Sequence, residues 1–230
     1  MKKPKKEFLS PFMKPAGLLF FTDFISIDEE QHLVEYLDTH GTWSGLGIPP
    51  NPEMKRRTQM FGFEFSYRYR RITSRLGPFP ACIQTISDRI QQLILNQQLI
   101  PDPYSNGHDV SEMNLLVVNE YHRGQGIMPH VDSKELFGPF IAVVSMLSSC
   151  LITFIHDTDA ERPPYQLMLP PRSLLLMTGE SRSDWKHGIA KDEIERFQGI
   201  DIERSRRISL TFRHVDATTA SLSPSSDERE

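Results

Sequence analysis

The sequence predicts an α+β protein with a double-stranded β-helix (jelly roll) core flanked by N-terminal helices. Its 230 residues, of which 38% are hydrophobic and 24% charged, fit one globular domain. Two amphipathic helical segments occur before residue 100, and short apolar strands follow at close spacing after residue 114. Helices followed by a run of strands are typical of an α+β fold with mainly antiparallel sheets, and a jelly roll is one such arrangement.

The first predicted elements are a short apolar strand at residues 18–21 and a helix that begins with a capping box. In that box Ser26 stands at the N-cap and Glu29 three residues later, so that each side chain can bond the other's backbone N–H. Leu33 lies on the apolar face of this helix, and Gly41 is the predicted stop.

Residues 60–70 alternate aromatic side chains with polar or basic ones, which predicts one strand with an aromatic face and a largely basic face. We expect most of the aromatic rings to be core and one ring near the end, Tyr67 or Tyr69, to be able to stack on a base. The predicted aromatic face consists of Phe61, Phe63, Phe65, Tyr67 and Tyr69.

A breaker cluster at residues 76–80 precedes a second amphipathic helix. Its isoleucines recur at steps of three and four residues, as in Ile83, Ile86 and Ile90, so one helix face should cover a sheet. The strands predicted after it are residues 115–118, 141–147, 151–155, 166–169, 173–177 and 207–215.

The two ends of the chain differ in composition from its middle. Residues 1–14 predict a basic flexible tail without the apolar segment of a secretory signal, and residues 216–230 predict a disordered tail. No apolar run approaches the roughly 20 residues of a membrane helix, so no membrane partner is expected. Cys82 and Cys150 are interpreted as buried thiols in a reducing compartment, which predicts a cytoplasmic location, with the nucleus as a second expected compartment.

His130 and Asp132 are separated by one residue, and in an extended chain such residues point to the same side. A surface histidine beside a solvated aspartate is the alternative for this pair alone. His187, which follows the apolar strand 173–177, offers a third ligand. Two imidazoles and one carboxylate form the facial set that leaves open positions on Fe(II) for a bidentate 2-oxo acid and O₂.

The last predicted strand has a polar face between apolar residues. Arg207, Ser209, Thr211 and Arg213 share this face, and a buried guanidinium requires an anion. Arg207 is suited to hold the carboxylate of 2-oxoglutarate through two parallel hydrogen bonds. A salt-bridged edge strand facing solvent is the alternative.

A basic cluster precedes the second helix, with seven basic residues and the single acid Glu64 in residues 55–75. Net charge of the whole chain is only −4, so this local excess is the sequence's main indication of phosphate contacts. A solubilising edge strand is the alternative. The candidate nucleic-acid-binding residues are Lys55, Arg56, Arg57, Arg68, Arg70, Arg71 and Arg75.

A set of residues resembles the signature of the AlkB family of Fe(II)/2-oxoglutarate-dependent dioxygenases, in the same order and at similar separations: Asn119, Tyr121, Gly124, Gly126, His130, Asp132, His187, Arg207 and Arg213. The resemblance covers roughly residues 18–215, and we expect residues 15–215 to form an AlkB-like dioxygenase domain. It implies that Fe(II) is bound by His130, Asp132 and His187. It also implies that 2-oxoglutarate is held by Asn119, Tyr121 and Arg207, with Arg213 near the metal in contact with co-substrate or substrate.

Within that family, three stretches are most similar to the branch that hydroxylates a modified wobble uridine of tRNA, namely residues 61–65, 119–121 and 177–182, and Ser209 also fits that branch. Residues 126–130 resemble another eukaryotic branch instead. The resemblance implies hydroxylation or demethylation of a modified base, with RNA rather than DNA and O₂ as expected partners. The wobble-uridine enzyme of animals carries an RNA-recognition module and a methyltransferase domain for which 230 residues leave no room, so RNA binding is expected to come either from this domain or from an accessory protein.

Three other functions remain open on the sequence. The chain could be an oxidative repair demethylase of N-alkylated DNA or RNA, in which case hydroxylation of an N-methyl group would release formaldehyde. It could be a non-catalytic binding module on the same fold. It could also oxidise a protein or lipid, which would leave the basic cluster without a role.

Overall fold

The computed structural model describes residues 14–99 and 112–215. Apart from Lys14, the predicted tails at residues 1–14 and 216–230 lie outside these ranges. In the part of the chain that is described, no helix is long and apolar enough to cross a membrane.

The chain forms fourteen strands and three helices within the described ranges. The first part contains β1 (Leu18–Phe21), α1 (Ile27–Thr39), β2 (Arg57–Phe61), β3 (Phe63–Ser66), β4 (Arg71–Arg75) and α2 (Ala81–Gln97). The second part contains β5 (Leu115–Tyr121), β6 (Ile127–His130), β7 (Phe140–Met146), β8 (Cys150–His156), β9 (Tyr165–Leu169), β10 (Ser173–Thr178), α3 (Gly179–Ser183), β11 (Trp185–Ile189), β12 (Ile194–Phe197), β13 (Ile200–Glu203) and β14 (Arg207–Arg213).

Two antiparallel sheets make up the body of the protein. The major sheet has the strand order β1-β10-β7-β14-β5-β2, and the minor sheet has the order β6-β11-β8-β9. Two separate hairpins, β3–β4 and β12–β13, are attached to this pair of sheets. The predicted α+β class with a jelly-roll core is confirmed.

The two long helices cover the outer face of the major sheet. Leu33 of α1 and Ile83 of α2 are fully buried in the same core as Ile208, Leu210 and Phe212 of β14. Because successive strand residues point to opposite faces, Arg207, Ser209, Thr211 and Arg213 are directed to the other face, between the sheets. The polar face of β14 therefore lies inside the protein, as the sequence predicts.

One half of the space between the sheets is filled by apolar side chains. Leu175 and Met177 of the major sheet pack with Phe154, Tyr165 and Trp185 of the minor sheet. The polar face of β14 occupies the other half, so the jelly roll is closed by a hydrophobic core on one side and leaves polar groups facing inward on the other.

Both long helices occur where the sequence places them. The predicted capping box is present, since Glu29 N–H donates to Ser26 Oγ and Ser26 N–H donates to Glu29. Helix α1 ends at Thr39, two residues before the predicted stop. Helix α2 extends to Gln97, where Gln98 adopts a left-handed backbone conformation that ends it.

The prediction of one continuous aromatic strand at residues 60–70 is wrong. Gly62 divides the segment into β2 and β3, with φ of +80° and an ideal Cβ position only 1.8 Å from the carbonyl oxygen of Asn114. A side chain there would clash, so only glycine allows this bend. Phe61 consequently packs against the helices, while Phe63 and Phe65 belong to a separate small core.

The prediction for the two cysteines holds for only one of them. Cys150 is fully buried, but Cys82, near the start of α2, is only half-buried. Both are free thiols, and burial raises the pKa of each above its usual value.

Candidate functional site

Strands β6 and β11 bring the two predicted histidine ligands together. His130 and His187 are direct partners in this antiparallel pair, and their ring centroids lie 4.5 Å apart. Asp132 follows two residues after His130, and its Oδ1 lies 3.9 Å from His130 Nε2. The pairing of β6 with β11 thus brings the three residues predicted to bind Fe(II) into one neighbourhood.

The orientation of the His130 ring is fixed by the backbone. Its Nδ1 lies 2.9 Å from the carbonyl oxygen of Met128, a distance at which Nδ1–H donates to that oxygen. The proton is then on Nδ1, which leaves the lone pair on Nε2, the nitrogen nearer to Asp132. Histidine ligands in metal sites are commonly held in this way.

The electrostatics of the site favour the metal-binding forms of its members. Burial, followed by the charge of neighbouring His130, lowers the pKa of His187 to about 3, so His187 is neutral at physiological pH. Burial alone would raise the Asp132 pKa, but the charges of Arg213, His187, His130 and Arg182 together outweigh it and hold that pKa well below its usual value. Arg213 donates to Asp132 Oδ1 at 3.0 Å and to Oδ2 at 2.9 Å.

Two imidazoles and one carboxylate are the kinds of ligand that bind Fe(II), but in this structure they lie slightly farther apart than ligands around a bound metal ion. Ligand atoms about 2.1 Å from one ion lie roughly 3 Å apart when they are adjacent, whereas His130 Nε2 and Asp132 Oδ1 are separated by 3.9 Å. Accordingly, no three His, Cys, Asp or Glu side chains within residues 14–99 and 112–215 already form a closed ligand cluster.

Close approach of β6 and β11 depends on a glycine that follows His187. A Cβ atom on Gly188 would lie 2.9 to 3.0 Å from the backbone N and Cα and the ring Cγ of Pro129. Contacts this short with backbone atoms force a shift, so Gly188 is the residue that lets the two histidine-bearing strands pair.

The predicted 2-oxoglutarate residues lie on neighbouring strands of the major sheet. Arg207 on β14 pairs directly with Tyr121 on β5, and Ser209 pairs with Asn119. Arg207 is 3% exposed, and its Nη2 donates to Ser145 Oγ at 2.8 Å.

The remaining donors of Arg207 are unpaired. Its Nε and Nη1 are buried and have no hydrogen-bond partner among the described residues. A buried guanidinium with open donors is costly unless an anion binds there. The guanidinium lies 5.5 Å from the centre of the Tyr121 ring, so the open donors and Tyr121 border the same space and could hold one carboxylate of a dicarboxylic acid.

Arg56 lies in the interior and not on the predicted basic surface. Its Nε donates to Asn119 Oδ1 at 2.8 Å, and its guanidinium lies 5.4 Å from the centre of the Tyr121 ring. Its side chain is buried, which removes it from contact with a phosphate backbone. The sequence interpretation of Arg56 as a phosphate ligand is therefore corrected, because Arg56 contacts Asn119 and Tyr121, two of the residues predicted to bind 2-oxoglutarate.

Arg57 is also not available as a free phosphate ligand. Its guanidinium forms a two-pronged ion pair with buried Glu120, at 2.5 and 2.7 Å, and lies 4.7 Å from the centre of the Trp43 ring. Arg206 donates to the same carboxylate at 2.8 Å. Although burial alone would raise the pKa of Glu120, these two arginines lower it to about 2.

A family model of the 2OG-Fe(II) oxygenase superfamily matches residues 17–213. The chain belongs to this superfamily. The match confirms the predicted enzyme class, an Fe(II)/2-oxoglutarate-dependent dioxygenase, and with it the need for Fe(II) and 2-oxoglutarate.

Similar proteins place the chain in the AlkB family of this superfamily. An Arabidopsis thaliana protein named "Alkylated DNA repair protein ALKBH8 homolog" is 35% identical over 86% of the chain and 58% of its own length. The Xenopus tropicalis "tRNA (carboxymethyluridine(34)-5-O)-methyltransferase alkbh8" is 31% identical over 91% of the chain and 33% of its own length. The chain therefore spans less than two thirds of either relative.

The fold is also that of a solved family structure. The structure of OsALKBH1 superimposes with a TM-score of 0.61 at 14% sequence identity, covering 90% of this chain and 99% of that chain. At this identity the likeness concerns the fold alone.

Beside the oxygenase centre, the β3–β4 hairpin presents most of the predicted basic cluster. Arg68 and Arg71 each lie 5.5 Å from the centre of the Tyr69 ring, at the tip of the hairpin. Tyr69 is 62% exposed, so the tip offers an accessible aromatic ring between two guanidinium groups. The basic residues of the cluster that are exposed are Lys55, Arg68, Arg70, Arg71 and Arg75.

Two residues outside the predicted site bear on this hairpin, because Asn51 holds its backbone and Tyr67, which belongs to it, lies near the oxygenase centre. Asn51 is fully buried; its Nδ2 donates to the Phe65 carbonyl oxygen at 3.1 Å, and its Oδ1 accepts from Tyr67 N–H at 3.0 Å. Tyr67 lies where the charges of Arg56 and Arg213 reach it; burial raises its pKa and these two charges oppose that rise. In the sequence, Tyr67 stands out only as an alternative to Tyr69 for stacking on a base, and no pattern indicates a structural role for Asn51.

Proposed function

We propose that this chain is a dioxygenase that oxidises a modified base in RNA, with the wobble uridine of tRNA as the first substrate to test. In this proposal His130, Asp132 and His187 bind Fe(II), and Arg207, Asn119 and Tyr121 bind 2-oxoglutarate. When bound, Fe(II) and 2-oxoglutarate supply the oxidising chemistry that hydroxylates a C–H bond with O₂.

The chain's own residues orient the metal ligands, bind the co-substrate and shield the site from water. The Nδ1–H bond of His130 to Met128 orients the ring, and Arg213 holds Asp132 ionised beside it. The open donors of Arg207 support its role as the anchor of a carboxylate. Phe154, which lies opposite His187 on β8, is fully buried and limits the access of water to the inner side of the site.

The exposed Tyr69 between Arg68 and Arg71 carries the nucleic-acid part of the proposal. Aromatic rings stack on unpaired bases and guanidinium groups contact phosphates, which is the usual combination in proteins that bind single-stranded RNA. A base must leave its stack to reach a metal centre, and a loop of tRNA already presents unstacked bases. The name of the Xenopus relative, which refers to a uridine at tRNA position 34, makes tRNA the preferred RNA class.

The test measures succinate formed from 2-oxoglutarate in the presence of Fe(II) and one of three substrates: total tRNA, a methylated RNA oligonucleotide or a methylated DNA oligonucleotide. We expect succinate with tRNA, a nucleoside of increased oxygen content by mass spectrometry, and no product with His187→Ala. Formaldehyde from either methylated oligonucleotide, without turnover of tRNA, would identify a repair demethylase. Turnover of none of the three, with RNA still bound, would identify a binding module.

The hairpin is tested by Tyr69→Ala. Loss of one stacked base costs about 1–3 kcal/mol, so the KM for tRNA should rise roughly 5- to 150-fold. The Kd for 2-oxoglutarate should not change, because Tyr69 is exposed at the hairpin tip. Arg196→Gln is the matched control, since Arg196 is exposed on the separate β12–β13 hairpin. An unchanged KM for tRNA in Tyr69→Ala would remove this hairpin from the proposal.

A further inference from the structure

Arg182 is a buried arginine whose donors all bond to the backbone of one segment. Its Nη1 donates to the Asp132 carbonyl oxygen at 2.9 Å, and its Nη2 donates to that of Ser133 at 2.8 Å. Nη2 also reaches the carbonyl oxygen of Phe137 at 3.3 Å, and Nε reaches that of Gly138 at 3.3 Å. Arg182 itself is 6% exposed.

The segment that Arg182 contacts does not belong to a β-sheet. Residues 131–139, between β6 and β7, contain turns and bends but no strand. The segment is only partly buried, with Asp132 and Phe137 inside, and its inward-facing backbone carbonyl groups need partners from outside the regular ladders. Arg182 supplies four of these partners at once, and they extend over both ends of the turn that follows Asp132.

The position of Arg182 in the chain joins the two halves of the metal site. It lies on α3, which leads directly into β11 and its ligand His187. Helix α3 is itself anchored, because Ser181 N–H donates to the Ala16 carbonyl oxygen at 2.8 Å and the Thr178 N-cap forms a capping box with Ser181. A firmly held helix thus connects the segment bearing Asp132 to the strand bearing His187.

We infer that Arg182 is a positioning residue that holds Asp132 in place relative to His187 before the metal binds. This inference rests on the proposed ligand set. Lysine cannot replace arginine here, because a single ammonium nitrogen cannot reach carbonyl oxygens at both ends of a turn, whereas a planar guanidinium carries five N–H groups in a fixed fork. Groups that orient metal ligands from outside the ligand set typically change metal affinity by about 10- to 100-fold when they are mutated.

The first experiment measures Mn(II) binding to metal-free protein by calorimetry for wild type, Arg182→Lys and Arg204→Lys. Arg204 is the matched control, because it is equally buried and donates to three backbone carbonyl oxygens, those of Gln125, Ala190 and Asp192. We expect the Kd for Mn(II) to rise about 10- to 100-fold in Arg182→Lys and much less in Arg204→Lys. An unchanged Kd in Arg182→Lys, or an equal rise in both variants, would refute the inference.

The second experiment uses only the wild-type protein, without and with Mn(II), and therefore does not depend on the folding of a variant. Hydrogen exchange of the metal-free wild type should show slow exchange in residues 132–138, where Gly138 N–H donates to the His214 carbonyl oxygen. Mn(II) should add little to this protection. If the segment exchanges rapidly and becomes protected only when Mn(II) is added, the metal and not Arg182 orders it.

These results separate the inference from the proposed function. If wild type fails to bind Mn(II), or if His187→Ala binds it as tightly as wild type, the proposed ligand set is wrong. Slow exchange in the metal-free protein would then still show that residues 132–138 are ordered without a metal, while the role of Arg182 toward the metal would be refuted.

Discussion

Replacing Arg207 by glutamine separates binding of the co-substrate from stability of the fold. Arg207 Nε and Nη1 are buried without partners among the described residues. If both donate to one carboxylate of 2-oxoglutarate, each charge-assisted bond contributes about 1.5–3 kcal/mol, for a total of roughly 3–6 kcal/mol. Glutamine keeps one neutral donor and no charge, so about half of this is lost and the Kd for 2-oxoglutarate rises on the order of 100-fold.

Although Arg207→Gln weakens binding of 2-oxoglutarate, it should not destabilise the ligand-free protein. Burying an unpaired guanidinium costs free energy, and the smaller neutral side chain removes that cost, so the metal-free variant should unfold at the same or a higher urea concentration than wild type. The expected result is thus weaker binding without lower stability. Few other substitutions in a protein core have this pair of effects.

The assay is calorimetric titration of 2-oxoglutarate into Mn(II)-loaded protein, in which no turnover occurs, with urea unfolding in parallel. Arg207→Lys keeps the charge without the two parallel bonds and should give an intermediate Kd. Arg196→Gln, an exposed position paired with Asp201, is the control for a general effect of losing an arginine. A Kd within about threefold of wild type in a folded Arg207→Gln protein would show that another group holds the carboxylate.

Three further changes test other parts of the molecule. Glu120→Gln should lower the free energy of unfolding by about 3 kcal/mol at pH 7 and by about half as much at pH 3. The reason is that the Glu120 carboxyl, with a pKa of about 2 in the folded protein, stabilises the fold fully above its ordinary pKa of 4.5 and loses this effect as the pH falls toward 2. A difference between variant and wild type in urea unfolding that does not depend on pH would contradict this. Gly188→Ala should abolish most turnover and weaken Mn(II) binding, since its Cβ meets Pro129 at 2.9 Å, and normal binding would mean that the strands can separate without cost. Arg56→Gln should raise the KM for 2-oxoglutarate but not for tRNA, whereas Arg71→Gln should raise the KM for tRNA but not for 2-oxoglutarate. If both variants raised the same KM values, the separate roles assigned to the two residues would be contradicted.

The strands that the sequence predicts correctly are those whose pattern is local. Strands β5, β7, β8, β9, β10 and β14 are apolar or alternating runs, and each begins within about one residue of its predicted start. Strands β6 and β11 were not predicted, because Ile127–His130 contains a proline and Trp185–Ile189 a glycine and two polar residues. They are extended because they pair with each other, which is a tertiary effect.

In the candidate site, too, the local sequence predicts some features, whereas others depend on how distant strands pair. The same-side geometry of His130 and Asp132 follows from their spacing alone, and the polar face of β14 follows from alternation. The burial of Arg56 follows instead from the antiparallel pairing of β2 with β5, which are separated by more than fifty residues, and the Arg57–Glu120 pair has the same origin. Charge counted along the chain cannot distinguish a surface arginine from one that the sheet register turns inward.

The bend at Gly62 has a consequence for how this protein can diversify. It removes the β3–β4 hairpin from the hydrogen-bonding ladder of the major sheet, so that Phe63, Phe65 and Ile72 pack in a small core with Leu115 and Val117 of β5. That core adjoins the oxygenase centre through Phe137, whose ring centre lies 4.9 Å from the Arg213 guanidinium. Residues at the hairpin tip can therefore be exchanged during evolution without disturbing the iron ligands, which allows a new substrate to be acquired on an unchanged oxidation apparatus.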